Sequence, residues 1–115
     1  MTFRVQFRLR IYRDDGIAIG PGKIALLEAI ADSGSISAAA RSLGMSYRRA
    51  WLLVDELNRG MTSPAVIGTV GGRQGGGATV TASGQELVRR YRAIEESAQE
   101  AAARDIAALV RMLRP

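Results

Sequence analysis

The chain has 115 residues, with 16 basic and 11 acidic side chains for a formal net charge of +5, and it contains neither cysteine nor histidine. That length supports one core and little more. The missing side chains exclude disulfides, thiolate nucleophiles, imidazole bases and the usual zinc ligands, so neither an enzyme nor a metal or other cofactor is expected.

No apolar run approaches the roughly 20 residues needed to span a bilayer, and the opening MTFRVQFRLR lacks the continuous apolar stretch of a signal peptide. The expectation is a soluble cytoplasmic protein with no membrane partner. The charge is unevenly spread: residues 1–80 hold ten basic and six acidic side chains, residues 81–115 six and five. Lys23 is the single lysine. An arginine-rich surface suits bidentate contacts to guanine and phosphate, although a genome rich in G and C produces the same bias.

Thr2 to Tyr12 alternates strictly, with Phe3, Val5, Phe7, Leu9 and Ile11 on one side and Arg4, Gln6, Arg8, Arg10 and Tyr12 on the other. This predicts a half-buried strand. Asp14, Asp15 and Gly16 form a turn, and Ile17 to Ile19 return as a second short strand. The basic face of this hairpin invites a nucleic-acid reading, but a strand with one wet face needs polar residues there, and the arginines read more strongly as that face, where they discourage edge-to-edge pairing. Gly20, Pro21 and Gly22 then punctuate the chain before a helix from about Lys23 to Asp32, with Ile24, Leu26, Leu27, Ile30 and Ala31 as its buried stripe.

Gly34 to Gly60, GSISAAARSLGMSYRRAWLLVDELNRG, holds a helix, a glycine turn and a second helix. Ile36, Ala39, Ala40 and Leu43 share one face of the first; Ala50, Leu53, Val54 and Leu57 share one face of the second. Ala39 and Ala40 are small where the helices cross, Gly44 is placed for a left-handed turn, and Met45 plugs the corner. Ser35 is the expected cap of the first helix, and Ser35 and Ser37 lie where free backbone N–H groups could meet a DNA phosphate. Ser46 caps the second helix, whose tip Ser46, Tyr47, Arg48 and Arg49 is polar and basic, as a DNA-reading helix requires.

Beyond Gly60 the period changes to two. Ala65 to Val70 and Ala78 to Ala82 are expected as strands joined by a loop of five glycines with Arg73 and Gln74. A hairpin directly after a recognition helix is a wing, and Arg73 or Gln74 could lie along the adjacent backbone or groove. The loop lacks the Lys-Ser or Lys-Thr of a phosphate-binding loop and leads into a strand, against nucleotide binding.

Thr81 and Ser83 mark the next boundary, with Ser83 and Glu86 spaced as a capping box, and one helix from about Gly84 to Leu113 follows. Leu87, Tyr91, Ile94, Ala98, Ala102, Ile106, Leu109 and Leu113 form an apolar seam along it. A seam this long predicts a homodimer joined through Leu87, Tyr91, Ile94, Ile106, Leu109 and Leu113, with Arg92–Glu96 and Glu100–Arg104 as surface pairs.

From Gly20 to Tyr91, the segments GPGKIALLEAI, GSISAAA, GMSYRRAW and GGRQGGGATVT, with Asn58 and Gly84, closely resemble the N-terminal domain of ModE-type molybdate-responsive transcription regulators. The resemblance implies a dimeric regulator that binds operator DNA. It carries Ser46, Tyr47, Arg48 and Arg49 over as recognition positions and Arg73 as a wing position. Trp51 belongs to the same motif, and its size suggests a core or helix-packing residue. Members of the family continue into oxyanion-binding modules beyond this point, so a stand-alone relative is expected, with a molybdate response doubtful.

The expected fold is mainly α with small β-hairpins: a winged helix-turn-helix at 21–82, an N-terminal hairpin at 1–20 and a C-terminal dimerisation helix at 83–115, all one domain. Double-stranded DNA and a second copy of the chain are the expected partners. Two alternatives remain at this point, a small-oxyanion sensor for molybdate or tungstate and a protein-interaction module that does not bind DNA.

Overall fold

The computed structural model describes residues 2–69 and 77–115. Its elements run β1 (Ile11–Arg13), β2 (Gly16–Ile19), α1 (Pro21–Ser33), α2 (Ile36–Ser42), α3 (Tyr47–Gly60), β3 (Val66–Thr69), β4 (Gly77–Val80), α4 (Ala82–Ala101) and α5 (Ala103–Arg111). Three helices and the β3–β4 hairpin make the winged helix-turn-helix expected from the sequence.

Its core is built where α1, α2 and α3 cross. Ala39 and Ala50 are fully buried and Ala40 nearly so, which lets the backbones of α2 and α3 approach closely beneath Leu26, Leu27 and Ile30 of α1. Gly44 takes φ 68° between them, the left-handed turn the spacing required. Leu43 and Ala31, expected inside, are exposed. Leu43 ends α2 on the turn, and Ala31 lies on the side of α1 away from the other two helices.

The wing hairpin is antiparallel, pairing Val66 with Val80, Ile67 with Thr79, Gly68 with Ala78 and Thr69 with Gly77. Val66, Ala78 and Val80 close the core while Ile67 and Thr79 face solvent, the period-two pattern of a half-buried strand. The Ala78 N–H donates to the Gly34 carbonyl at 2.8 Å, so the hairpin is also tied to the end of α1.

Other expectations are corrected. The strand from Thr2 to Tyr12 is paired only at Ile11–Arg13, because β2 is four residues long and supplies no partner for the remainder. Residues 2–10 instead run alongside α4, where the Tyr91 hydroxyl donates to the Leu9 carbonyl at 2.8 Å and the Gln99 amide to the Val5 carbonyl at 3.4 Å. Ser83 and Glu86 form no capping box. Thr81 caps α4 by accepting from Gly84 N–H at 3.1 Å, and Glu86 pairs with Arg89 and Arg90.

The single long helix is two, broken at Ala102 with φ −100° and ψ 8°. Asp105 in the first turn of α5 favours a fresh start there through the helix dipole. Nor do Glu96 and Glu100 hold the arginines assigned to them. Arg92 reaches Glu95 at 2.7 Å and crosses to Glu28 of α1 at 2.6 Å, while no ion pair of Glu100 with Arg104 forms. Hydrogen bonds to Glu28 and then Glu95 raise the Arg92 pKa, which keeps its guanidinium charged.

The apolar seam is divided as well. Leu87 packs on the core and Tyr91 is buried in its own chain, whereas Ile94, Leu109 and Leu113 are exposed and Ile106 is half-buried. Burial, with the charge of Glu95 adding to it, pushes the Tyr91 hydroxyl above its ordinary range. No residue of α5 is buried. A compact chain of this length has a radius of gyration of roughly 13 Å; here it is 16.9 Å, with extents of 55 × 31 × 25 Å.

Gly84 is the closest packing point between wing and α4. A Cβ there would stand 2.7 Å from Val80 Cγ1 and nearer still to the Ala65 carbonyl oxygen, which is backbone and cannot turn aside. Gly84→Ala is expected to lower unfolding free energy by about 1–3 kcal/mol in chemical denaturation. Gly22→Ala, whose Cβ would meet nothing within 4 Å, should stay within roughly 0.5 kcal/mol of the parent.

Candidate nucleic-acid interface

Ser46 starts α3 as the sequence predicts, its hydroxyl oxygen accepting from Arg49 N–H at 3.1 Å. Ser35 does the same for α2, accepting from Ala38 N–H at 3.0 Å, and Ser37 is exposed one residue inside that helix. Each cap satisfies one of the backbone N–H groups that a helix start leaves free.

At about 100° per residue, Ala50, Val54 and Leu57 define the buried arc of α3, and Arg48, Leu52, Asp55 and Arg59 point the opposite way. Asp55 and Arg59 neutralise each other at 2.8 Å. Arg48 and Arg49 have no carboxylate partner among the described residues, so the positive potential of this surface is concentrated in the first turn. Tyr47, 55 % exposed, projects with them.

Trp51 departs from its expected core place and is 46 % exposed. The buried arc begins at Ala50, and one residue further round the helix carries Trp51 to the wing-side flank. There it lines a shallow cleft of about 230 Å³ with Ile36, Asn58, Val66 and Gly68. Arg73 and Gln74, assigned to the wing tip, lie outside the described residues.

What aligns reading helix and wing is Asn58. Its carboxamide oxygen accepts from Ala65 N–H at 2.8 Å and Val66 N–H at 3.2 Å, and its NH₂ donates to the Val66 carbonyl at 2.9 Å. One side chain thereby fastens the last turn of α3 to the first residue of β3. The sequence marked only the Asn58 region; a lone asparagine near a helix end does not disclose which backbone groups it will meet.

A second fastening was not legible at all. Lys23 of α1 is buried, and its ammonium donates to the Ile17 carbonyl at 2.6 Å and faces Glu56 of α3 at 3.4 Å, joining β2, α1 and α3.

The profile described as bacterial regulatory helix-turn-helix protein, lysR family, matches residues 22–85 of the chain. The chain belongs to this family. It is 46 % identical over 80 residues to the molybdenum-pterin-binding protein MopB of Rhodobacter capsulatus, spanning 70 % of this chain and 30 % of that protein. It is 42 % identical over 94 residues to the molybdenum transport protein ModE of Azotobacter vinelandii, spanning 82 % and 35 %. With the DNA-binding transcriptional dual regulator ModE of Escherichia coli K12 the identity is 41 % over 81 residues, spanning 70 % and 31 %.

The ModE-type likeness carried by GSIS, SYRRAW and GGRQGGG thus extends over most of this lysR-family domain, and the chain spans about a third of the length of these relatives. Among solved structures, the CbnR DBD–DNA complex superposes with a TM-score of 0.57 at 23 % identity, over 76 % of this chain and 95 % of that one. Full-length LysG of Corynebacterium glutamicum with bound effector Arg gives 0.58 at 22 % identity, over 81 % and 30 %. At such identities the likeness is one of fold. Among the described residues no helix is long and apolar enough to cross a membrane.

Asn58→Ala leaves two N–H groups and a carbonyl at a buried strand start without their partner. The expected loss is about 1–3 kcal/mol of stability. Amide exchange at Ala65 and Val66 should accelerate before the helices α1 to α3 open; unchanged exchange there would contradict the clamp.

Proposed function

We propose that this lysR-family chain is a transcription regulator that binds double-stranded DNA in the cytoplasm as a homodimer, and that it is not an enzyme. The observation that carries the reading is the first turn of α3: Arg48 and Arg49 exposed, free of carboxylates, beside a capped N-terminus and next to exposed Tyr47. A helix presented this way enters the major groove by its N-terminal end, where guanidinium groups reach guanine edges.

Exposed Trp51 adds an apolar surface on the wing side of α3, suited to thymine methyls or sugars. Arg73 and Gln74 are assigned to the wing's backbone or minor-groove contact. Of the two serines assigned to phosphate, Ser35 accepts from Ala38 N–H as the cap of α2 and keeps its own O–H to donate, and Ser37 is exposed beside it, so both hydroxyls can donate to a phosphate oxygen. The molybdenum names of the relatives support molybdate uptake or molybdoenzyme genes as the regulated class.

Pairing with a second copy rests on α5 and the outer half of α4. Ile94, Leu109, Met112 and Leu113 are 49 %, 62 %, 80 % and 56 % exposed, large apolar side chains that water disfavours. A second chain laying the same residues against them would cover both sets and hold two α3 helices at a fixed separation. Leu87 and Tyr91, engaged in their own chain, support this interface from behind.

Arg48→Ala is expected to weaken binding to a DNA sequence selected from a random pool by about 1–3 kcal/mol and to unrelated DNA by less, measured by fluorescence anisotropy. Equal losses on both would reassign Arg48 to the phosphate backbone. Changing Ile106 and Leu109 together to aspartate should give monomers by light scattering, with binding to a palindrome sharply weakened and half-site binding retained. A parent protein that is monomeric at tens of micromolar would refute the paired form.

A further inference from the structure

The side of α3 away from the wing faces a second, larger depression. Arg49 and Leu53 of α3 form one wall, Gly20 to Lys23 at the start of α1 the floor, and Arg8, Arg10 and Ile17 the other wall, enclosing a cavity of about 760 Å³. Residues 49, 53 and 56 lie on the flank of α3 opposite Trp51, Asp55 and Asn58, so the two depressions border the reading helix on either side.

Its charge is one-sided. Lys23 and Glu56, which both line it, compensate each other at 3.4 Å. That leaves the guanidinium groups of Arg8, Arg10 and Arg49 facing a single further carboxylate, Asp15, with which none of them pairs. Among the described residues Arg10 and Arg49 have no side-chain acceptor, and Arg8 has only the Gln6 amide oxygen at 3.0 Å. The contrast with α4 is direct: Arg89, Arg90 and Arg92 there are all satisfied by glutamates. Residues 2–10 place Arg8 and Arg10 here while following α4 and extending no sheet, so two of the side chains expected to guard a strand edge lie beside α3 instead.

We propose that this cleft holds a backbone phosphate of the bound duplex, gripped by Arg8, Arg10 and Arg49 on the flank of α3 opposite the wing. The inference rests on the DNA-binding reading and adds to it a third contact beyond helix and wing. A phosphate oxygen accepts several N–H donors at once, and guanidinium forks match it. Such a contact positions the protein without reading sequence.

The test uses the full chain and its selected duplex, comparing the parent with Arg8→Ala/Arg10→Ala and, to keep the apolar stems, Arg8→Gln/Arg10→Gln. Phosphate-ethylation interference should lose one or two positions in both variants while the remainder of the pattern persists. The slope of log affinity against log salt should become shallower by roughly 0.9 for each phosphate lost. Preference for selected over unrelated DNA should stay that of the parent, unlike Arg48→Ala. Arg8→Lys/Arg10→Lys should recover most of the salt slope. An interference pattern and slope identical to the parent in both variants would overturn the cleft and leave the DNA reading standing; a parent without interference at any phosphate would overturn both. Inorganic phosphate shifting the Arg8 and Arg10 side-chain resonances, while duplex interference stays the same in the variants, would likewise overturn it in favour of a free anion.

Discussion

The carboxamide of Asn58 decides how the reading helix and the wing are presented. A recognition helix and a two-stranded wing joined by a short loop could adopt many relative angles, and the apolar core alone tolerates sliding because its contacts are non-directional. Three hydrogen bonds to the backbone at Ala65 and Val66 remove that freedom. They also satisfy buried polar groups that a strand start would otherwise leave unpaired. The close contact at Gly84 completes the arrangement from the other side, since the Ala65 carbonyl meets both the Thr81 N–H and the turn that opens α4.

The distribution of cations follows a second constraint. Along α4, Glu86 accepts from Arg89 and Arg90, which hold its carboxyl below the ordinary range, and Arg92 is shared by Glu28 and Glu95. Those exposed pairs add little stability each, but they cancel the field of this helix. No such cancellation occurs at the first turn of α3 or along residues 8–10, so a chain with a net charge of only +5 still presents a local surface of one sign. Local concentration, more than net charge, determines whether a polyanion is attracted.

The C-terminal helices depart from the packing of the remainder. The first half of α4 is part of the winged domain through Leu87, Val88 and Tyr91, while from Ile94 onward the large apolar residues Ile94, Leu109, Met112 and Leu113 are exposed and Ile106 is only half-buried. α4 and α5 are separated by the break at Ala102, and the molecule is 55 Å long on its longest axis. Several large apolar residues facing water near one end are uncommon in a chain that functions alone, and it is on them that the proposed pairing with a second copy rests.

Local chemistry determined much of this protein before any folding was considered. The period of Ile24 to Ile30 and of Ala50 to Leu57, the serines at 35 and 46, the glycine at 44 and the two short wing strands are each specified by neighbours within a few residues, so sequence alone located α3 and its exposed basic first turn. Tertiary structure decided the rest, because it depended on partners distant along the chain. Residues 2–10 have the alternation of a strand, yet without a strand beside them they follow α4 and bring Arg8 and Arg10 to Arg49. Trp51 has the bulk of a core residue, but Ala50 already occupies the buried arc and one step of about 100° carries the indole outward. Tyr91 and Ile94 look alike on the seam, and only the approach of Leu9 buries one and leaves the other in water. Periodicity states which residues share a face; what that face meets is determined by contacts across the fold.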